Sequence, residues 1–157
     1  GALALGAGSA DPLGAALFDP RVRSALELHA PEVLPVVGQL AAGFARERAV
    51  ARALAPDQLT ATASAASFDV ARRISLYLAA ASVVGVWAAE AGNNAIAADP
   101  LVLRACLERV RGRLTGRQRP LPREIIDRLV AHGEACVDGS RSVGLRPVAI
   151  YPARASA

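Results

Sequence analysis

The residues of this chain best suited to chemistry are arginines. Arg109, Arg111, Arg113, Arg117, Arg119 and Arg123 recur at short intervals along one helical pattern and the loop beyond it. A guanidinium presents a fixed fork of donors that matches phosphate oxygens. Arg111, Arg113, Arg117 and Arg119 are therefore the candidate cofactor-binding residues. Their ligand would be a phosphate of nucleic acid, of coenzyme A or of a nucleotide cofactor. The cluster has no aromatic side chain for base stacking and no helix-turn-helix pattern, which counts against nucleic acid. All 18 basic residues are arginine. A solvated loop under a compositional arginine bias is the competing reading.

Other groupings offer less. His29 and His132 are the only histidines, and no GxSxG elbow supplies a serine nucleophile. Cys136 stands four residues beyond His132, on the same helix face, where imidazole could activate a thiol. Nothing else in that segment supports such a role. Cys106 and Cys136 are expected as two buried thiols rather than a disulfide. No CxxC or Cys/His cluster indicates a metal. The glycine-rich start GALALGAGSA lacks GK[ST] and a preceding strand, so it matches neither nucleotide loop. No paired ExxH arrangement suggests iron or manganese. No catalytic residue is assigned.

The elements that would position these residues are helical. Asp19 and Pro20 read as a cap and a first helical residue, opening a helix from Pro20 to His29. A second helix is expected over Pro35 to Ala55, ended by Pro56 and Asp57. Its apolar face is Val36, Val37, Leu40, Phe44 and Leu54, and Arg46, Glu47 and Arg48 mark its wet side. Gly38 and Gly43 would permit close packing.

A polar interval, Asp57 to Ser67, precedes the longest helix, about Ser67 to Ala91. It holds the uncharged run ISLYLAAASVVGVWAA, Ile74 to Ala89. The run is short for a membrane span, which takes about 18 apolar residues or more. The expectation is a central helix buried on nearly every side, with no membrane span. Phe68, Ala71, Ile74, Leu78, Ala81, Val84 and Ala88 form one face. Gly92, Asn93 and Asn94 stop it.

Asp99 and Pro100 open the next helix, with Leu103, Cys106, Leu107, Val110 and Leu114 inward. Arg104, Glu108, Arg109, Arg111 and Arg113 point outward. Pro122 opens the last helix, whose inner face is Ile125, Ile126, Leu129, Val130 and Val137, with Gly139 at its end. No long alternating segment implies a sheet. The fold class is all-α, a bundle of four or five helices with an extended C-terminal tail. Residues 1–18 are expected as a flexible or extended arm, 19–139 as the bundle domain and 140–157 as the tail.

Apolar residues make up 53% of 157 residues, which argues against disorder and allows one domain with a core. Much of that content is alanine, which buries little area per residue, so such a domain would lean on neighbouring protein. The charge is uneven. Residues 1–100 carry seven Arg against nine acids, net −2, and residues 101–157 eleven Arg against five acids, net +6. The chain contains no Met, so it is expected to begin after a cut.

Three segments carry a resemblance. FDVARRISLYLAAASVVGVWAAEAG, LVLRACLERVRGRLTG and PLPREIIDRLVAHGE resemble the C-terminal helical region of actinobacterial proteins related to acyl-CoA dehydrogenases. The likeness covers about residues 68–136, including the FDxARR start and the LRACLERV helix. It implies a helical subunit or fragment of a flavoprotein oxidoreductase. Such a unit would complete an acyl-CoA and FAD site built mainly by another chain. In the family's reaction a carboxylate takes the α-proton of an acyl thioester and hydride passes to the flavin. The family's catalytic glutamate matches none of Glu90, Glu108, Glu124 or Glu134 by motif. The resemblance thus implies FAD as cofactor, held mainly by a partner. It also implies acyl-CoA as ligand, a homo-oligomer or larger partner subunit, and a cytoplasmic location. The alternative is a non-enzymatic helical interaction domain.

Overall fold

In a computed structural model, residues 14–55, 58, 64–92, 96–118 and 120–139 are described. Among them the fold is all-helical, with five α-helices and no strand. The helices are α1 (Pro20–His29), α2 (Leu34–Arg52), α3 (Ala65–Glu90), α4 (Pro100–Thr115) and α5 (Arg123–Asp138). Short 3-10 turns at Ala15–Leu17, Pro31–Val33 and Ile96–Ala98 join or precede them. The expected tail, residues 140–157, lies outside the described residues, as do Pro56, Asp57, Asn93 and Asn94.

Local chemistry sets the helix starts. The Asp19 carboxylate accepts from Arg21 N at 2.8 Å, and Asp99 accepts from Leu101 N at 2.8 Å, each with proline as the first helical residue. Ser64 caps α3 through Ser67 N at 3.3 Å, so the end of the polar interval, which could have been helix or connector, joins α3. α2 ends at Arg52, ahead of the expected stop.

The core lies where α2 and α4 pack on α3, closed at one end by α1 and the first turn. Trp87, Phe44, Leu26, Leu103, Leu107, Val33 and Val84 are its largest fully buried side chains. Phe44 stacks on Phe18 with centroids 6.3 Å apart and meets Tyr77 at 5.8 Å. The Trp87 indole donates to Ala98 O at 3.0 Å, fixing the α3–α4 connection to the core. Gly43 is the point of closest approach. A Cβ there would stand 2.8 Å from Tyr77 Cζ, so no larger residue fits without moving that ring. Gly38 faces open space instead.

Several expectations need correction. The N-terminal arm does not run to residue 18, because Ala15–Leu17 form a turn and Leu17 is buried in the core. The inner face of α3 runs through Ser67, Val70, Ala80, Ala81, Val84 and Trp87, leaving Phe68 55% exposed. Phe68 lies about 100° round the helix from Ser67, which turns its ring to solvent.

Nor is α3 buried on nearly every side. Ser75, Ala79, Ser82, Val86 and Ala89 fall at helical spacing and form one exposed stripe along it. Ser75 and Ser82 donate to Ala71 O and Leu78 O, each at 3.0 Å, so their hydroxyls are satisfied within the helix. At 26 residues α3 is long and apolar enough, by length and composition, to cross a membrane. It is also the helix on which α1, α2 and α4 pack.

Glu47 leaves the wet side of α2 to pair with Arg73 of α3. The last helix departs furthest from expectation. Only Ile125 and Cys136 of α5 are buried, while Ile126, Leu129, Val130 and Val137 are exposed. Among the described residues α5 packs mainly against α4, which leaves much of its apolar face uncovered.

Candidate functional site

A cleft of about 720 Å³ opens between α4, the following loop and the start of α5. Arg104, Glu108, Arg109, Arg111 and Thr115 line it from α4, and Gln39 reaches it from α2. Arg117, Pro120, Leu121, Pro122 and Ile125 form the remaining wall. Four arginines thus share the lining with one glutamate, with an apolar border at the loop and α5.

Two glycines build the wall that holds Arg117. Gly116, at φ +72°, ends α4 in the left-handed conformation that spares glycine a Cβ clash. The chain turns there and lies back over Gly112. A Cβ on Gly112 would sit 3.1 Å from Arg117 O and 3.2 Å from Gln118 Cα, so a bare backbone is what admits the returning loop. The Thr115 hydroxyl donates to Arg111 O at 2.9 Å and steadies the last turn.

The charges are partly compensated. Arg111 Nη2 lies 2.7 Å from Glu108 Oε2, which holds that guanidinium along the cleft wall. Outside the cleft lining, Asp99 ties the start of α4 to α5. One of its oxygens caps α4, and the other accepts from Arg128 of α5. That pair fixes α5 against the α4 start, and the guanidinium of Arg128 stays fully charged beside the carboxylate.

Of the four arginines singled out in sequence, Arg111 and Arg117 line the cleft, and Arg113 is exposed outside it. Arg113 is two residues from Arg111, about 200° away on the helix, which sets it on the far face. Arg119 lies outside the described residues. Sequence reasoning passed over Arg104 as a ligand contact. Its spacing of seven from Arg111 puts both on one face and could have singled it out. Gln39 carries no such signal, since it arrives by tertiary packing.

No family model, curated protein or solved structure matches the chain. The site is therefore read from its own geometry. Among the described residues no group of three or more His, Cys, Asp and Glu could hold a metal ion. Cys106 and Cys136 are free thiols. Cys106 is half-buried, and burial raises its thiol above the ordinary value, which disfavours the nucleophilic thiolate. Cys136 Sγ lies 3.6 Å from His132 Nε2, so the contact expected from their spacing forms. The buried thiol lies outside the cleft lining.

Proposed function

We propose that this chain is a helical subunit or fragment of an acyl-CoA dehydrogenase-like flavoprotein. Its cleft would take the phosphate groups of a coenzyme A thioester. One observation carries the reading, the mixed lining of the cleft. Arg104, Arg109, Arg111 and Arg117 offer charge, while Leu121, Pro122 and Ile125 offer an apolar border. A ligand with phosphates on one part and an uncharged body on another meets both.

Among the described residues the lining contains no aromatic side chain, so it suits the phosphates of a dinucleotide and not the flavin ring. In this proposal FAD is held mainly by a partner chain in the cytoplasm. This chain contributes packing and positive charge, and no step of the oxidation is assigned to it. The exposed apolar residues of α5 favour a second reading, a non-enzymatic interaction domain.

Titration calorimetry with coenzyme A separates the two. Changing Arg104, Arg109, Arg111 and Arg117 together to Gln should weaken binding by about tenfold or more at low salt, and the difference should shrink as salt rises. The fold should survive, since exposed charges contribute about 0–1 kcal/mol each. A parent chain that does not bind coenzyme A, or an affinity untouched by the four changes, rejects the first reading.

A further inference from the structure

Among the described residues Glu108 is the one acid in a cleft lining otherwise charged by four arginines. It shares a face of α4 with Arg104 and Arg111, at spacings of four and three. Its carboxylate pairs with the second of them, Oε2 standing 2.7 Å from Arg111 Nη2. Among the described residues no acid pairs with Arg104, Arg109 or Arg117. Three of the four guanidinium groups are thus available to a ligand, and the fourth is neutralised from within.

The Glu108–Arg111 pair does little for the fold. Both residues belong to α4, so it joins no second element, unlike Arg73–Glu47 or Arg128–Asp99. The two side chains are 33% and 37% exposed, a setting in which an ion pair adds little to stability. We propose that Glu108 is an internal competitor for the ligand of this cleft. It occupies Arg111 until the second phosphate group of a diphosphate displaces it. The proposal rests on the reading of the cleft as a phosphate site.

Charge sets the ligand class. One phosphate group is served by the three unpaired arginines. A diphosphate brings a second group, and the cation left for it in the described lining is Arg111. Phosphate outcompetes a carboxylate there, because it carries more charge and offers more acceptors to the guanidinium fork. The displaced carboxylate turns to water, which its exposure allows. Glu108 could also aid binding by holding Arg111 in place. That benefit is small for a single exposed contact, whereas like-charge repulsion acts on every charge of the ligand. Competition is the larger effect, so Glu108 lowers the affinity for a diphosphate and changes that for a single phosphate less.

Titration calorimetry of the full chain with inorganic pyrophosphate and inorganic phosphate at low salt tests this. Glu108→Gln should tighten pyrophosphate binding by about fivefold and phosphate binding by less than about twofold. In an Arg111→Gln background the same change should tighten pyrophosphate by less than about twofold, because the contested cation is gone. Unchanged helix content by circular dichroism reports an intact fold in each variant. Pyrophosphate affinity that is unchanged or weaker in Glu108→Gln overturns the proposal. So does a gain that persists in full without Arg111, since Glu108 then acts as background charge alone. Neither result touches the phosphate reading of the cleft. If parent and Glu108→Gln both fail to bind pyrophosphate, that reading is rejected and the proposal with it.

Discussion

Arg73 on α3 donates through Nε to Glu47 Oε1 on α2 at 2.8 Å, and this pair bridges the two helices beside the Gly43–Tyr77 contact. Both side chains are largely withdrawn from solvent, at 30% and 18% exposure. The other Glu47 oxygen is buried with no hydrogen-bond partner among the described residues. Arg73 is therefore what balances a carboxylate poorly served by water.

Arg73→Ala should cost about 1–3 kcal/mol, the range for stranding a buried acceptor. Glu47→Gln with Arg73→Ala should recover part of that, because the stranded charge is gone. Chemical denaturation of parent, single and double variants checks both. Equal stability of all three would mean that the pair is a solvated surface contact.

Trp87→Ala should destabilise the fold by about 3–5 kcal/mol, the usual cost of emptying a large aromatic site. Trp87→Phe should cost less, losing the bond to Ala98 O while keeping most of the packing. A melting temperature for Trp87→Ala within a degree of the parent would contradict its place in the core.

Gly112→Ala should displace the loop carrying Arg117, since the new Cβ would press on Arg117 O and Gln118 Cα. Coenzyme A affinity should fall severalfold while helix content by circular dichroism holds. Gly116→Ala adds strain at φ +72°, at about 1 kcal/mol. If Gly112→Ala binds as the parent does, the loop position does not matter to the ligand.

Stability should fall on the alkaline side. Burial raises the Tyr77 hydroxyl above its ordinary value, and Glu47 adds to the rise. Burial likewise raises the Cys106 thiol. Each group's folded value exceeds its unfolded one. The stabilisation is thus complete below the unfolded value and is lost as pH climbs through the folded one. Denaturation midpoints should hold through neutrality and decline above about pH 9, the onset set by the thiol. Tyr77→Phe should flatten the upper part of the decline, and an unchanged slope would sink that assignment.

The helices themselves were legible because their signals are local. Asp19–Pro20 and Asp99–Pro100 set two helix starts by capping chemistry that needs nothing beyond adjacent residues. The Ser64 cap was missed, since a polar interval rich in Ser and Thr looks alike whether it caps a helix or connects two. Trp87 was legible as core from its place in a long apolar run. The outward turn of Phe68 was not, since a shift of one residue moves a side chain by about 100°.

What the amino-acid order determined by itself was the all-α class, the starts of α1 and α4 and the presence of an arginine-rich segment around α4. Each follows from periodicity, capping or composition, which act over a few residues. Only tertiary packing decided which arginines share a cleft. Gln39 and Ile125 enter it from helices far apart in sequence, and Arg117 enters because Gly112 lets the backbone return. Packing also decided which apolar faces are covered. α5 has the pattern of a buried helix but, among the described residues, packs mainly against α4, and a helix cannot encode how much of its face its fold will cover.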